Sequence, residues 1–85
     1  MKQFTFTVTD PQGIHARPAG VLIKKVKEFQ CSVSIEKDGK SVDARKMFAV
    51  LGLGVKCGET VTFTVEGADE EQAAAAIAEL LQEQF

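Results

Sequence analysis

The single histidine of the chain, His15, lies in the segment GIHARPA at positions 13–19. Histidine is the one side chain whose unperturbed pKa allows it to act as a neutral nucleophile near pH 7. Pro18 fits only in the first turn of a helix, which predicts a helix that starts next to His15. The first amides of a helix bind phosphate well, and Arg17 adds a guanidinium that matches phosphate oxygens. The segment therefore predicts a phosphoryl-accepting histidine.

Phosphoryl transfer depends mainly on positioning and charge, because its transition state places negative charge on the equatorial oxygens. The free N–H groups expected at the helix start belong to Ala16 and Arg17, and the Arg17 guanidinium can donate charge-assisted hydrogen bonds. Positive surroundings disfavour a protonated ring, so His15 keeps a lone pair for attack on phosphorus. The alternative is that His15 only caps the helix. Arg17 argues against that alternative, because a cap does not require an arginine.

Other catalytic arrangements are absent from the sequence, which has no P-loop, no second histidine and no Ser–His–Asp set. Cys31 falls on the apolar phase of a strand, which predicts a buried thiol, and Cys57 lies in a turn. Carboxylates with metal-ligand spacing are also missing, so we expect neither a metal site nor a cofactor. The chain is expected to carry a phosphoryl group without being an enzyme.

Length and composition restrict the class of protein further. The chain has 85 residues, which corresponds to a single domain over residues 1–85, and its net charge is −2. This net charge does not favour nucleic-acid binding, and without Trp or Tyr the sequence offers no evident aromatic platform for stacking bases. No apolar run is long enough to span a bilayer, and the N-terminus lacks a signal-peptide pattern. We expect a cytoplasmic protein that does not insert into membranes.

Alternating and helical hydrophobic patterns predict the elements that position the histidine. The predicted order is βαββαβα, with strands at 4–8, 31–36, 40–42 and 60–65 and helices from residue 16, at 44–51 and after residue 69. Asp69 with Gln72 three residues later is interpreted as a capping box for the last helix. Every strand has one apolar and one polar face, so helices cover one side of the sheet and water the other. The fold class is an α+β open-faced β-sandwich.

The segment at positions 13–19 resembles the active-site signature of the HPr family, the histidine-containing phosphocarriers of the bacterial phosphoenolpyruvate-dependent sugar phosphotransferase system. The likeness covers the whole chain and includes the Leu53-Gly54 turn and the segments GETV at 58–61 and GADE at 67–70. The resemblance implies a four-stranded antiparallel sheet covered by three helices. It also implies that His15 receives a phosphoryl group on Nδ1 from phosphorylated enzyme I, that Arg17 steadies it, and that IIA domains of sugar permeases accept it.

The resemblance further implies a partner-docking patch beside the histidine, formed here by Gly20, Lys24, Lys27, Met47, Phe48 and Leu51. From the residues alone, Met47, Phe48 and Leu51 share helical spacing and could equally pack in the core. The family likeness favours Met47 and Phe48 as solvent-facing anchors. The cations Lys24, Lys27, Arg45 and Lys46 are interpreted either as ordinary solvated charges or as charges that steer acidic partners.

One position departs from the family pattern. Many members carry, at the start of the short helix, a serine that is phosphorylated for regulation, and that place falls on Lys46 here. Serine regulation is therefore not expected, since a lysine reverses the charge of a phosphoserine. The alternatives left open are a carrier for a nitrogen-related or dihydroxyacetone branch, an adaptor that is never phosphorylated, and an RNA-binding split βαβ domain. A monomer is expected.

Overall fold

The computed structural model describes residues 1–85 and contains four strands and three helices. In chain order these are β1 (Lys2–Thr7), α1 (Ala16–Val26), β2 (Ser32–Lys37), β3 (Lys40–Asp43), α2 (Met47–Gly52), β4 (Thr60–Glu66) and α3 (Glu70–Gln84). None of the three helices combines the length and the apolar character that crossing a membrane requires. The predicted order βαββαβα is confirmed.

The four strands form one antiparallel sheet in the order β1-β4-β2-β3. Apolar and polar residues alternate along each strand and so give the sheet two different faces, as the sequence predicted. Phe63 and Ile35 are register partners and are both fully buried. Their strand neighbours Thr62 and Glu36 face the opposite side. At the β1 edge, the rings of Phe4 and Phe63 stack with centroids 5.3 Å apart. The apolar face carries the core and the other face stays open to solvent.

All three helices pack on the apolar face of the sheet. Helix α1 contacts both α2 and α3, while α3 covers β1 and β4 and α2 covers β3. The side of α1 that faces the sheet carries Ala19, Leu22 and Val26, which are completely buried at the spacing that the sequence predicted. The start of α1 is fixed by this packing, which in turn fixes the residue before it, His15.

The predicted start of the short helix is wrong by three residues. Helix α2 begins at Met47 rather than at Ala44. The Ala44 N–H instead donates to the Val33 carbonyl (2.9 Å), which continues the sheet. Asp43 then accepts the next two amides, that of Arg45 on Oδ1 (2.9 Å) and that of Lys46 on its carbonyl (3.1 Å). Residues 44–46 therefore form a turn, because an Asp side chain offers the backbone an alternative to helical bonds.

The predicted capping box is also wrong. Asp69 is the residue before α3, but its side chain makes no capping hydrogen bond. Its carboxylate instead accepts the amides of Gln30 (2.9 Å) and Cys31 (3.0 Å), which belong to the connection between α1 and β2. Glu70, not Gln72, supplies a local bond by accepting the Gly67 N–H (3.2 Å). The Asp69 carboxylate therefore accepts amides from a segment distant in sequence instead of capping its own helix, because those amides also need acceptors.

The connection at residues 29–31 is held on its other side by Arg45. One guanidinium nitrogen, Nη2, donates to the carbonyls of Phe29 (2.7 Å) and Cys31 (2.9 Å). Cys31 is buried, as predicted, and burial raises the pKa of its thiol. Gly67 packs against Cys31 so closely that a Cβ there would lie 2.7 Å from the Cys31 Cα. The contacts of Arg45 and Gly67 therefore hold the connection at residues 29–31 in place.

Candidate phosphorylation site

His15 occupies the position immediately before α1. Its backbone is extended (φ −118°, ψ 174°), and its side chain makes no capping hydrogen bond to the helix. The interpretation of His15 as a helix cap therefore fails, because its side chain satisfies none of the helix amides. The imidazole is 35% exposed. A ring at the surface, positioned by a helix start but not used by it, is available for chemistry.

The start of α1 leaves its first amides free. The N–H groups of Ala16 and Arg17 donate no hydrogen bond within the protein, and Pro18 has none to donate. The first turn contains no acidic residue, whereas Lys24 and Lys25 lie in the last turn, where the helix dipole favours cations. Arg17 is exposed and its guanidinium forms neither an ion pair nor a hydrogen bond. Unpartnered N–H groups at a helix start, with an exposed and unpaired arginine in the first turn, are an arrangement that can bind an anion.

The loop that leads into His15 is anchored at Gly13. The Gly13 backbone has φ +68°, and a Cβ at this residue would lie 2.2 Å from the Val55 carbonyl oxygen. That close approach allows the next amide, of Ile14, to donate to the same carbonyl at 3.1 Å. Only glycine combines this φ with so little space. The histidine loop is thus docked on the turn that precedes β4.

A second anchor lies at the beginning of the same loop. The Phe85 carbonyl accepts the amides of Thr9 and Asp10, both at 2.8 Å. Asp10 then forms a tight turn, with its carbonyl accepting the Gly13 N–H (2.8 Å) and its Oδ1 accepting the Gln12 N–H (2.8 Å). The loop before His15 is therefore fixed at both ends.

The other oxygen of Asp10 reaches the histidine, with 3.5 Å between Asp10 Oδ2 and His15 Nε2. Sequence analysis interpreted residues 10–13 only as a turn and missed this pairing. No local pattern signals this contact, because bonds to Val55 and Phe85, both distant in sequence, orient the turn. The structure thus adds Asp10 to the candidate site.

Within the predicted docking patch, one apolar side chain is almost fully exposed to solvent. Phe48 is 87% exposed, whereas Met47 and Leu51 are half-buried and pack against the core. Core packing thus describes part of Met47 and Leu51 but not Phe48. Gly20 lies where α1 meets α2, since a Cβ there would make an ordinary contact, at 3.5 Å, with the Met47 methyl carbon. An exposed aromatic ring next to half-buried apolar groups is typical of a contact surface.

The predicted cations of the patch divide into two kinds. Lys24, Lys27 and Lys46 are exposed and none of them forms an ion pair. Arg45 is different, because its guanidinium is half-buried and bonded to the carbonyls of the 29–31 connection. Arg45 is therefore not an ordinary solvated charge, and its role in steering acidic partners stays a prediction.

The largest cleft of the molecule, about 350 Å³, lies on the open face of the sheet. Its walls carry mainly hydroxyl groups and charges, and its polar lining residues are Ser32, Ser34, Ser41, Asp43, Arg45, Thr64 and Glu66. None of the residues from 8 to 17 lines this cleft. The candidate phosphorylation site is therefore an exposed helix start rather than a pocket, which suits a group that must be handed from one protein to another.

The family model for the phosphotransferase-system HPr component, described as the HPr phosphorylation site, matches residues 2–83. The chain belongs to the HPr family. This confirms the resemblance that the sequence indicated, together with the general class of activity, a phosphocarrier of the phosphotransferase system.

Individual HPr proteins give the same result. The chain is 43% identical over 83 residues to the phosphocarrier protein HPr of Lysinibacillus sphaericus, covering 98% of this chain and 94% of the relative. The crystal structure of HPr-C-His from Thermoanaerobacter tengcongensis superposes with a TM-score of 0.94 at 35% identity, over 100% and 96% of the two chains. A crystal structure of an HPr dimer from the same organism has a TM-score of 0.79 at 35% identity, covering 100% and 98%.

Proposed function

We propose that this member of the HPr family accepts a phosphoryl group on Nδ1 of His15 from phosphorylated enzyme I and passes it to IIA domains of sugar permeases. The observation that carries the proposal is the geometry at the start of α1. A partly exposed imidazole lies there next in sequence to the amides of Ala16 and Arg17, which have no partner in the protein. The phosphoenolpyruvate-dependent system supplies the donor.

In the proposed transfer, the Nδ1 lone pair forms a bond to phosphorus while the bond from phosphorus to the donor group of enzyme I breaks. The electron pair of the broken bond stays with enzyme I. Negative charge on the phosphoryl oxygens faces the two free amides and the Arg17 guanidinium. Onward transfer reverses these roles, since the bond between Nδ1 and phosphorus breaks and the imidazole recovers its lone pair. Because a phosphoramidate nitrogen leaves readily, the site suits a relay.

The docking surface that we propose lies next to this site, on α1 and α2. Phe48 provides an exposed apolar anchor, and the half-buried Met47 and Leu51 extend the apolar area beside Gly20. Around it, Lys24, Lys27 and Lys46 are unpaired. Unpaired lysines at the rim of an apolar patch attract acidic partners and raise the rate of encounter. Lys46 also takes the place of the regulatory serine, so control by phosphorylation at that position is not proposed.

Labelling tests the central step. The chain is incubated with enzyme I and labelled phosphoenolpyruvate, alongside a His15→Ala variant. We expect the unmodified chain to gain a label that is labile in acid and stable in base, and the variant to gain none. A chain that stays unlabelled would instead be an adaptor. A label that persists in His15→Ala would place the acceptor elsewhere.

The branch of the system and the assembly need separate measurements. Transfer from the labelled chain to purified IIA domains of sugar, nitrogen-related and dihydroxyacetone branches identifies the recipient, and we propose the sugar branch. We also propose that the chain works as a cytoplasmic monomer. A related HPr has been crystallised as a dimer, so light scattering of the purified chain across a range of concentrations is the appropriate check.

A further inference from the structure

Asp10 uses its two carboxylate oxygens for different purposes. Oδ1 accepts the Gln12 N–H at 2.8 Å, and Oδ2 faces His15 Nε2 at 3.5 Å. The backbone of Asp10 is held as well, because its N–H donates to Phe85 and its carbonyl accepts from Gly13, both at 2.8 Å. The carboxylate is therefore fixed in place before any partner arrives, with its second oxygen directed at one nitrogen of the imidazole.

We infer that Asp10 is a positioning residue that keeps the proton of neutral His15 on Nε2 and the lone pair on Nδ1. An ionised carboxylate can only accept hydrogen bonds, so a ring nitrogen that bonds to it must carry hydrogen. The partner of one imidazole nitrogen thus decides the state of the other. This inference rests on the proposed function, because it explains why Nδ1 is the nitrogen ready to attack phosphorus.

The distance of 3.5 Å from Nε2 to Oδ2 is longer than an ordinary N–H···O hydrogen bond. Contacts of this kind are often long in a protein without its substrate and shorten in the reacting complex. Here the carboxylate is anchored by Gln12, so shortening requires only that the imidazole turns toward it. The Asp10 side chain is 24% exposed, and partial removal from water strengthens its effect on the ring.

Asp10 also has a role after phosphoryl transfer. When the Nδ1 lone pair forms its bond to phosphorus, the proton on Nε2 stays in place and the ring becomes positively charged. The carboxylate of Asp10 lies beside that charge and offsets it. When the phosphoryl group leaves, the electron pair of the broken bond returns to Nδ1 and the ring is neutral again. No proton has to enter or leave during the cycle.

The substitution Asp10→Asn gives a sharp test because the turn determines how the amide is oriented. Its oxygen keeps the Gln12 N–H, so its NH₂ group faces His15 Nε2. An NH₂ group only donates, so Nε2 must accept and the ring proton moves to Nδ1, which blocks the nucleophile. A comparable exchange in a catalytic triad, where Asp becomes Asn, selects the wrong tautomer in the same way. Asp38→Asn is the matched control, since Asp38 is exposed in a distant turn and tolerates the same change.

The tautomer is read from nitrogen-15 NMR of the unphosphorylated chain, at a pH where the imidazole is neutral. The chain has one histidine, so every imidazole signal belongs to His15. We expect Nε2 to be protonated in the unmodified chain and in Asp38→Asn, and Nδ1 to be protonated in Asp10→Asn. Phosphoryl acceptance from enzyme I should fall roughly tenfold or more in kcat for Asp10→Asn, with KM for the carrier little changed.

An unchanged tautomer in Asp10→Asn, or an unchanged rate of acceptance, overturns the role given to Asp10. The NMR measurement needs no enzyme I, so its result is independent of the proposed function. A chain that shows the expected change of tautomer but is never labelled by enzyme I would refute the phosphocarrier proposal alone. A chain that is labelled normally but shows no tautomer preference would refute the role of Asp10 alone.

Discussion

The N-termini of α1 and α3 pose the same physical problem and solve it in opposite ways. Both leave amides without intrahelical partners and both carry a partial positive charge. Helix α3 begins with Glu70 and Glu71 after Asp69, so its own carboxylates provide the negative charge. Helix α1 has no acidic residue in its first turn and carries Arg17 there. The start of α3 therefore carries negative side chains of its own, whereas the start of α1 carries none.

Groups at the start of α3 stabilise the fold, whereas we propose that those at the start of α1 serve the function. Asp69 bonds the 29–31 connection and Glu70 bonds Gly67, so these two carboxylates at the start of α3 are used within the protein. At the start of α1 the amides remain unpaired, and nearby Phe48 is exposed. We propose that the unpaired amides of α1 bind a phosphoryl group and that the exposed Phe48 contacts partner proteins.

The largest effect on stability is expected from a substitution that displaces the start of α1. In Gly13→Ala the new methyl would meet the Val55 carbonyl oxygen at 2.2 Å with the backbone at φ +68°. We expect the free energy of unfolding to fall by about 3 kcal/mol or more, measured by urea denaturation. Gly54→Ala is the control, because Gly54 has a similar φ of +65° but no atom within 4 Å, and should cost only about 1 kcal/mol. Equal losses would mean that close packing at Gly13 does not hold the loop.

A second experiment makes α1 resemble α3. Arg17→Glu places a carboxylate in the first turn, where it interacts favourably with the helix dipole. We expect stability to rise by about 0.3–1 kcal/mol, while phosphoryl acceptance falls roughly a hundredfold. Arg17→Ala should slow transfer less and leave the fold intact. Acceptance at the normal rate in Arg17→Glu would show that the start of α1 is not where the phosphoryl oxygens bind.

The comparison extends to the exposed ring on α2. Phe48→Ala should weaken binding of enzyme I about tenfold and change the free energy of unfolding by less than about 0.5 kcal/mol. Val50→Ala, on the buried side of the same helix, is the converse control and should cost roughly 2 kcal/mol without a direct effect on binding. Calorimetry measures both quantities. A large loss of stability in Phe48→Ala would place the ring in the core.

The smallest effect is expected at α3, where only stability should change. Hydrogen bonds from the Gln30 amide, and then from Cys31, hold the pKa of the Asp69 carboxyl below its ordinary value of 3.8. The ionised carboxylate therefore stabilises the fold above that pH, and the contribution is lost as the pH falls through the lowered pKa. Asp69→Asn should melt at a lower temperature at neutral pH, and the difference should shrink on acidification. Phosphoryl acceptance by folded Asp69→Asn should be normal.

The sequence predicts the parts of this molecule that depend on local patterns. The strand alternation, the start of α1 with Pro18 in its first turn and the hairpin turn at Asp38-Gly39 are all set by neighbouring residues, and the structure has them where expected. The predictions that were wrong concern residues whose hydrogen-bond partners are distant in sequence. Asp69 serves the connection from α1 to β2, and Arg45 serves the same connection from the opposite side. Local rules cannot show such partners, because the choice is made by tertiary packing.

The candidate site divides in the same way. His15, its free amides and Arg17 follow from the position of a proline after a histidine, which is local information. The contact from Asp10 to His15 depends on how the turn at 10–13 is oriented by Val55 and Phe85, and so it emerges only from the structure. The apolar docking surface is intermediate, since helical spacing groups Met47 with Phe48 but does not say which of the two is exposed.

The most direct test of the account is NMR of nitrogen-15-labelled chain before and after incubation with enzyme I and phosphoenolpyruvate. The account predicts that the single imidazole acquires a phosphoryl group on Nδ1 and that the backbone amide signals of Ala16 and Arg17 move more than any others. Phosphorylation at another residue, or phosphorylation of His15 with those two amides unmoved, would contradict it.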